Sequence, residues 1–215
     1  MSNSSEKKIG KGRLEVICGS MFSGKTEELM RRLRRAEFAK QNVLTIKHKI
    51  DIRKSKACIV SHQGNERLAF SIDNTTESLK KILELANKNI SVVGIDELNF
   101  FPEIIINVIC NLINMGKRVI CAGLDLDFRG EPFTQVSTLL SLADEVTKLK
   151  AICVKCGKDA HHTQRIVNGQ PAKYADPIIQ VGAEECYQAR CRNCFQIDKP
   201  LQFNTEFEKQ KEQTL

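Results

Sequence analysis

The sequence predicts an α/β fold: a mainly parallel sheet with flanking helices, followed by a small lobe built around cysteines. Three observations carry that prediction. Short continuous apolar runs alternate with amphipathic stretches from Leu14 to Leu149, the pattern of strands buried on both faces and the helices that cover them. The first of these runs leads into Gly19-Ser20-Met21-Phe22-Ser23-Gly24-Lys25-Thr26, directly before a helix-like stretch. After Ala151 the pattern gives way to two Cys-x-x-Cys pairs, Cys153/Cys156 and Cys191/Cys194.

Residues 1–12 are polar and lysine-rich and are expected to form a flexible tail. Leu14 to Cys18 predicts the first strand. Lys25 to about Lys40 predicts the helix after it, with Leu29, Leu33 and Ala36 as its apolar stripe. Val43 to Lys47 is a second strand. From Lys49 to Asn74 polar and turn-forming residues such as Asp51, Ser61, His62 and Gly64 weaken the pattern, and this stretch reads as a loop or strand excursion. A helix from about Thr75 to Asn87 follows, with Asn74 placed to cap it and Glu77 three residues on.

Ser91 to Ile95 is a buried strand that ends in Asp96-Glu97. Pro102 is placed to open a helix running to about Met115, with Gly116 stopping it. Arg118 to Ala122 is the next strand, and 123–133 reads as a loop too polar for the core. A helix near Phe133 to Ala143 and a strand at Glu145 to Leu149 complete a domain over 13–150. The second domain, 151–199, carries Asn168-Gly169 between two extended stretches, a strong hairpin signal. Residues 200–215 read as a second flexible tail.

Composition narrows the class. With 215 residues, 41% hydrophobic and 27% charged, the chain is expected to fold into a soluble protein. It has no apolar run of membrane-spanning length and no apolar signal core, so a cytoplasmic location without a membrane partner is expected. Nine cysteines in that setting are expected as thiols or metal ligands. The net charge of +7 suggests an anionic partner, nucleotide or nucleic acid. Arg31, Arg32, Arg34 and Arg35 share one predicted helix, where a solvated face explains them best.

Gly, four residues, then Gly-Lys-Thr is the spelling of a phosphate-binding loop (P-loop). Glycines let several backbone N–H groups converge on a triphosphate, and the next helix turns its positive end toward the same anion. Lys25 supplies charge for the outer phosphates, and Thr26 can ligate the Mg²⁺ that accompanies ATP. Asp96 sits where such proteins hold Mg²⁺ through its hydration shell. Glu97 would orient water in an ATPase or take a proton from an acceptor hydroxyl in a kinase; the same pair could instead simply end a strand or cap a helix. Cys153, Cys156, Cys191 and Cys194 suit a tetrahedral Zn²⁺ with no open position, hence a structural one, against the plainer reading of unliganded core thiols.

Taken together, residues 19–26, Ile95 to Phe101, Ala122 to Phe133, the cysteine pairs and Gly182 to Tyr187 resemble the zinc-containing, P-loop (type II) thymidine kinases. The resemblance spans about residues 13–197. It implies a RecA-like P-loop sheet with a zinc lobe carrying a lasso loop, here about Thr163 to Tyr187. It implies transfer of the ATP γ-phosphoryl group to the 5′-hydroxyl of thymidine in nucleotide salvage for DNA synthesis; deoxyuridine is expected as a further acceptor because one methyl is worth only about 1–3 kcal/mol of discrimination. Glu97 matches the family's general base, while Gly19, Ser20, Met21, Phe22, Ser23, Gly24, Lys25, Thr26 and Asp96 match its ATP and Mg²⁺ positions. The nucleoside positions fall on Met21, Arg53, Phe100, Leu124, Phe128, Phe133, Thr163, Val181, Gly182 and Tyr187, with Asp51 beside Arg53 in an acidic-basic pair.

A homotetramer and feedback inhibition by thymidine triphosphate are further implications of the resemblance. Departures from the family pattern are Ser20, Lys54, Asn99 and Ala183. The reading from another class is a nucleic-acid-dependent P-loop ATPase with a zinc ribbon. Asp159, Asp176, Glu184 and Glu185 in the cysteine-bearing segment argue against it, so nucleic acid is not the expected partner.

Overall fold

The computed structural model describes residues 12–50, 58–60, 64–86, 89–178 and 186–199. The predicted tails at 1–11 and 200–215 lie outside the described residues. In chain order the first part contains β1 (Arg13–Gly19), α1 (Lys25–Phe38), β2 (Val43–His48), β3 (Cys58–Val60), β4 (Glu66–Leu68), β5 (Phe70–Ile72) and α2 (Thr76–Leu85). Then come β6 (Val92–Ile95), a 3-10 turn (Leu98–Phe100), α3 (Ile105–Asn114), β7 (Arg118–Gly123), α4 (Thr134–Leu142) and β8 (Glu145–Leu149). Six of these strands form one sheet in the order β5-β2-β6-β7-β1-β8, and every neighbouring pair is parallel. Their carboxyl ends therefore all open on the same side, where ligands of such sheets bind.

The strand alternation decides the layers. Leu14 and Val16 of β1 join a core with Ile82 of α2, Ile109 of α3 and Leu139 of α4. Ile17, the next residue after Val16 and so turned to the other face, joins Leu29, Leu33 and Ala36 of α1 with Ile120 of β7. Central strands are thus buried on both sides, which is why they read as unbroken apolar runs.

Several boundaries differ from the sequence expectation. Helix α1 ends at Phe38 because Lys40 turns left-handed (φ 59°), with Lys40 N donating to Glu37 O and Gln41 N to Ala36 O. That is a Schellman closure made without glycine. Helix α2 is capped by Thr75, whose hydroxyl accepts from Ser78 N, not by Asn74. Pro102 does not open α3; its carbonyl accepts Ile105 N in a preceding turn, and the helix starts at Ile105. The stretch after β2 contains an antiparallel pair, β3 with β4, and then β5, which adds to the sheet edge beside β2.

From Ala151 the chain forms small antiparallel sheets: β9 (Ala151–Ile152) with β10 (Asp159–Ala160), and β11 (His162–Val167) between β12 (Gln170–Pro171) and β13 (Cys186–Arg190). Asn168 (φ 50°) and Gly169 (φ 75°) both take positive φ between β11 and β12, as a two-residue primed turn requires. No helix among the described residues is long and apolar enough to cross a membrane.

The arginine row on α1 is not one solvated face. Arg31, Arg34 and Arg35 are exposed, but Arg32 is buried and donates from Nη1 to Glu15 Oε2 at 2.8 Å. Glu15 is fully buried on β1, and Arg118 Nε (2.6 Å) and Arg13 Nη2 (2.6 Å) reach the same carboxylate. Burial opposes its ionisation, yet hydrogen bonds from Arg118 and Arg32 outweigh that and hold it below its ordinary value. Removing the carboxylate takes away a buried partner of three guanidinium groups, of which Arg32 and Arg13 keep Glu145, so Glu15→Ala is expected to lower unfolding free energy by up to about 3 kcal/mol in urea titrations.

Glu28, bound by Arg31 and also by Arg32, is lowered to about 2 from 4.5. A depressed carboxylate contributes stability present above its unfolded value and lost as pH falls through the folded one. The wild type is therefore expected to lose more stability between pH 4.5 and 2 than Glu28→Gln does, when the two unfolding curves are compared at each pH.

Candidate active site

The P-loop closes on itself before α1. Gly19 has φ 142°, and a Cβ there would stand 2.3 Å from Leu149 O, so only glycine fits where β1 leaves the sheet beside β8. Gly24 (φ 83°) is the N-cap of α1 and no side chain caps that end, which leaves the first-turn amides pointing into the loop. Lys25 Nζ folds over the loop and donates to Ser20 O at 2.8 Å.

A side-chain bond joins this loop to the end of β6. Thr26 Oγ1 donates to Asp96 Oδ2 at 3.0 Å. Asp96 is buried, and its other oxygen, Oδ1, accepts the Glu97 backbone N–H at 2.9 Å. Glu97 itself is left-handed (φ 54°, ψ 42°), a conformation that costs a residue with a Cβ about 1–3 kcal/mol. The twist turns the chain from β6 into the 3-10 turn and sets Glu97 next to the carboxylate that Thr26 touches.

The loop after β7 forms the neighbouring wall, and it is not the exposed segment that its polarity suggested. Asp125, Asp127, Phe128 and Gly130 are buried. Asp127 satisfies the turn internally, with Oδ1 accepting Arg129 N (2.8 Å) and Glu131 N (3.0 Å). Asn99 Oδ1 accepts Leu124 N at 2.9 Å, tying this loop to the turn that follows Glu97. Gln135 of α4 donates to both Asn99 O and Phe101 O at 2.8 Å. Phe133 N donates to Asp125 O, and the Phe133 side chain packs against the main core.

At the end of β2, the half-buried ring of Phe100 lies 5.9 Å from the His48 ring. His48 Nδ1 accepts Ile50 N, so Nε2 carries the proton and donates to Asn74 Oδ1 at 2.9 Å. Burial pushes its pKa down from the ordinary value, against the hydrogen bond to Asn74, which raises it.

The cysteine-bearing lobe reaches into the same crevice. Met21 N of the P-loop donates to Thr163 Oγ1 at 3.0 Å, and Ser20 Oγ to Ala160 O at 3.3 Å. Tyr187 of β13 stands across from Arg165 of β11. The sulfurs of Cys153, Cys156, Cys191 and Cys194 lie within 4.8 Å of one another. A tetrahedral Zn²⁺ with Zn–S of about 2.3 Å would set its sulfurs about 3.8 Å apart, so the set fits that ion. Arg53, Val181 and Gly182 lie outside the described residues, as do Asp51, Lys54 and Ala183.

The sequence model of one protein family, thymidine kinase, matches residues 12–195. The chain belongs to the thymidine kinase family. Membership implies, in general terms, an ATP-dependent kinase with ATP and thymidine as substrates.

In this thymidine kinase family member the four thiols sit close enough together to share one cation. Burial opposes ionisation of Cys153, but backbone N–H groups of Cys191, Lys155 and Cys156 turned toward its sulfur bring it down to about 6. Cys194, whose proton is shared with Cys191 and Cys156, is pushed up to about 12. A metal bound here would take these sulfurs as thiolates and displace their protons. Sequence reading missed His48, Asn74, Gln135 and Arg165, and treated Asn99 only as a departure from the family pattern. Each of them matters through a partner distant in the chain, which no local pattern reveals.

Metal analysis is expected to find about one zinc per chain. Stripping it with a strong chelator is expected to lower the melting temperature by about 5–10 °C, the range for a loss of about 2–3 kcal/mol in a domain of this size. A metal-free protein that melts unchanged would remove the staple role.

Proposed function

We propose that the chain transfers the γ-phosphoryl group of ATP to the 5′-hydroxyl of thymidine, with Glu97 as general base. The observation that carries this reading is the 3.0 Å bond from Thr26 to Asp96, because it brings the phosphate loop and the residue beside Glu97 to one point. The amides of residues 19–26 and the Lys25 ammonium hold the phosphates. Thr26 and Asp96 would hold Mg²⁺, which neutralises charge on the β- and γ-oxygens when bound.

Glu97 accepts the proton from the nucleoside hydroxyl as its oxygen attacks the γ-phosphorus and ADP leaves. The left-handed backbone supports that role, since strain at a non-glycine residue persists where the surrounding structure imposes it for use. Phe128, Phe100, Leu124, Phe133, Met21, Thr163 and Tyr187 supply aromatic and aliphatic walls and hydrogen-bonding groups suited to a flat pyrimidine. Arg53, Val181 and Gly182 complete the proposed nucleoside set.

Deoxyuridine is included as a substrate because one methyl group is worth only about 1–3 kcal/mol of discrimination. Nucleotide salvage for DNA synthesis in the cytoplasm, a homotetramer and inhibition by thymidine triphosphate belong to the same proposal.

The test is phosphate transfer from ATP with Mg²⁺ to labelled thymidine, run beside deoxyuridine, deoxycytidine and a no-acceptor control. Thymidine monophosphate is the expected product, formed in preference to the deoxycytidine product. ATP hydrolysis stimulated by DNA, without nucleoside product, would support the nucleic-acid-dependent ATPase instead. Glu97→Gln is expected to keep ATP affinity while kcat falls about 10²- to 10⁴-fold, and near-normal turnover would take Glu97 out of the mechanism.

A further inference from the structure

Strand alternation on β11 sets Thr163 and Arg165 on one face. Thr163 meets the P-loop at Met21 N, and Arg165 stands across from Tyr187 on β13. Arg165 is fully buried. Its guanidinium carbon lies 5.2 Å from the centre of the Phe128 ring, and its Nη1 donates to Pro177 O at 2.6 Å. Arg129 mirrors it from the loop after β7. Its guanidinium carbon is 5.4 Å from the same ring and 5.0 Å from that of Tyr174, and its Nη2 donates to Asp176 O at 2.8 Å.

The contacts are reciprocal. The lobe's arginine holds an aromatic ring of the sheet domain, and the sheet domain's arginine holds the lobe's backbone one residue earlier. A guanidinium is costly to bury, and an unbranched apolar side chain would fill the same space at lower cost. Two cations against one phenyl ring also favour a defined ring plane, because the attraction is to the face. A second tie runs beside them, from the Tyr174 hydroxyl to Glu131 Oε1.

We propose that Arg165 and Arg129 are positioning residues for the nucleoside. They fix the plane of Phe128 and the place of residues 172–177 against it, and so set nucleoside affinity without touching the phosphates. This rests on the kinase reading above, in which Phe128 is a wall of the base site.

The experiment measures KM for thymidine and for ATP, kcat, zinc content and melting temperature in the full-length protein and in Arg165→Met, Arg165→Lys and Arg129→Met. Arg165→Met is expected to raise the thymidine KM about tenfold or more, with ATP KM and kcat held within about threefold, since small misplacements of a binding wall cost that much or more. Arg165→Lys, which restores the cation but not the planar fork, is expected to recover part of the loss. Arg129 is only half-buried, so its variant tests the same idea should Arg165→Met fail to fold, with a thymidine KM raised about threefold or more.

Equal shifts in both KM values, or an unchanged thymidine KM in folded variants of both arginines, overturn the proposal. A wild-type protein that phosphorylates no nucleoside overturns the kinase reading and this inference with it. A wild type active on thymidine whose variants keep its KM overturns the inference alone.

Discussion

A buried carboxylate sets where the phosphate loop can be. Glu15 sits fully inside the sheet face that α1 covers, and Arg32 reaches it from the second turn of that helix. Apolar packing of Leu29 and Leu33 would let α1 slide or rotate by small amounts, because hydrophobic contact is not directional. A charged hydrogen bond at 2.8 Å is directional, and Arg32 extends it through Nη2 to Thr147 of β8. The amino end of α1 is thereby held over the ends of β1 and β8. From there Thr26 can reach Asp96, and the crevice acquires its geometry.

The zinc lobe extends this chain of constraints. It bonds the P-loop through Ser20 and Met21 and carries Thr163 to the crevice. The four sulfurs lie behind that contact: Val154, between two of the cysteines, donates to Ala189 O, which fixes the metal turn to β13. A metal held by these sulfurs would be linked through β13 and β11 to a backbone N–H of the phosphate loop.

Features confined to one short window were legible in the sequence. The Gly-x-x-x-x-Gly-Lys-Thr spacing, the paired cysteines, the apolar strands and the Asn168-Gly169 turn each follow from local backbone or ligand geometry. What escaped depends on partners far along the chain. Arg32 looked like its neighbours on α1 because nothing near it reveals that Glu15, an acid inside an apolar strand, waits below. The 123–133 segment looked exposed because its polar groups bond one another, which composition does not register. Asn74 and Thr75 are both good caps, and the choice of Thr75 frees Asn74 to hold His48. The role of Arg165 needs the fold, since the ring it grips is 37 residues earlier in the sequence.

The left-handed backbone at Glu97 places two demands on one residue. Glycine would relax that conformation, so for folding alone it would be the better residue, by an amount on the order of 1 kcal/mol. A population of sequences drifting under selection for stability would move toward it. On the proposed role of Glu97 as general base, selection for turnover would hold a carboxylate there, and the residue would mark a point where thermodynamic fitness of the fold and catalytic fitness oppose each other.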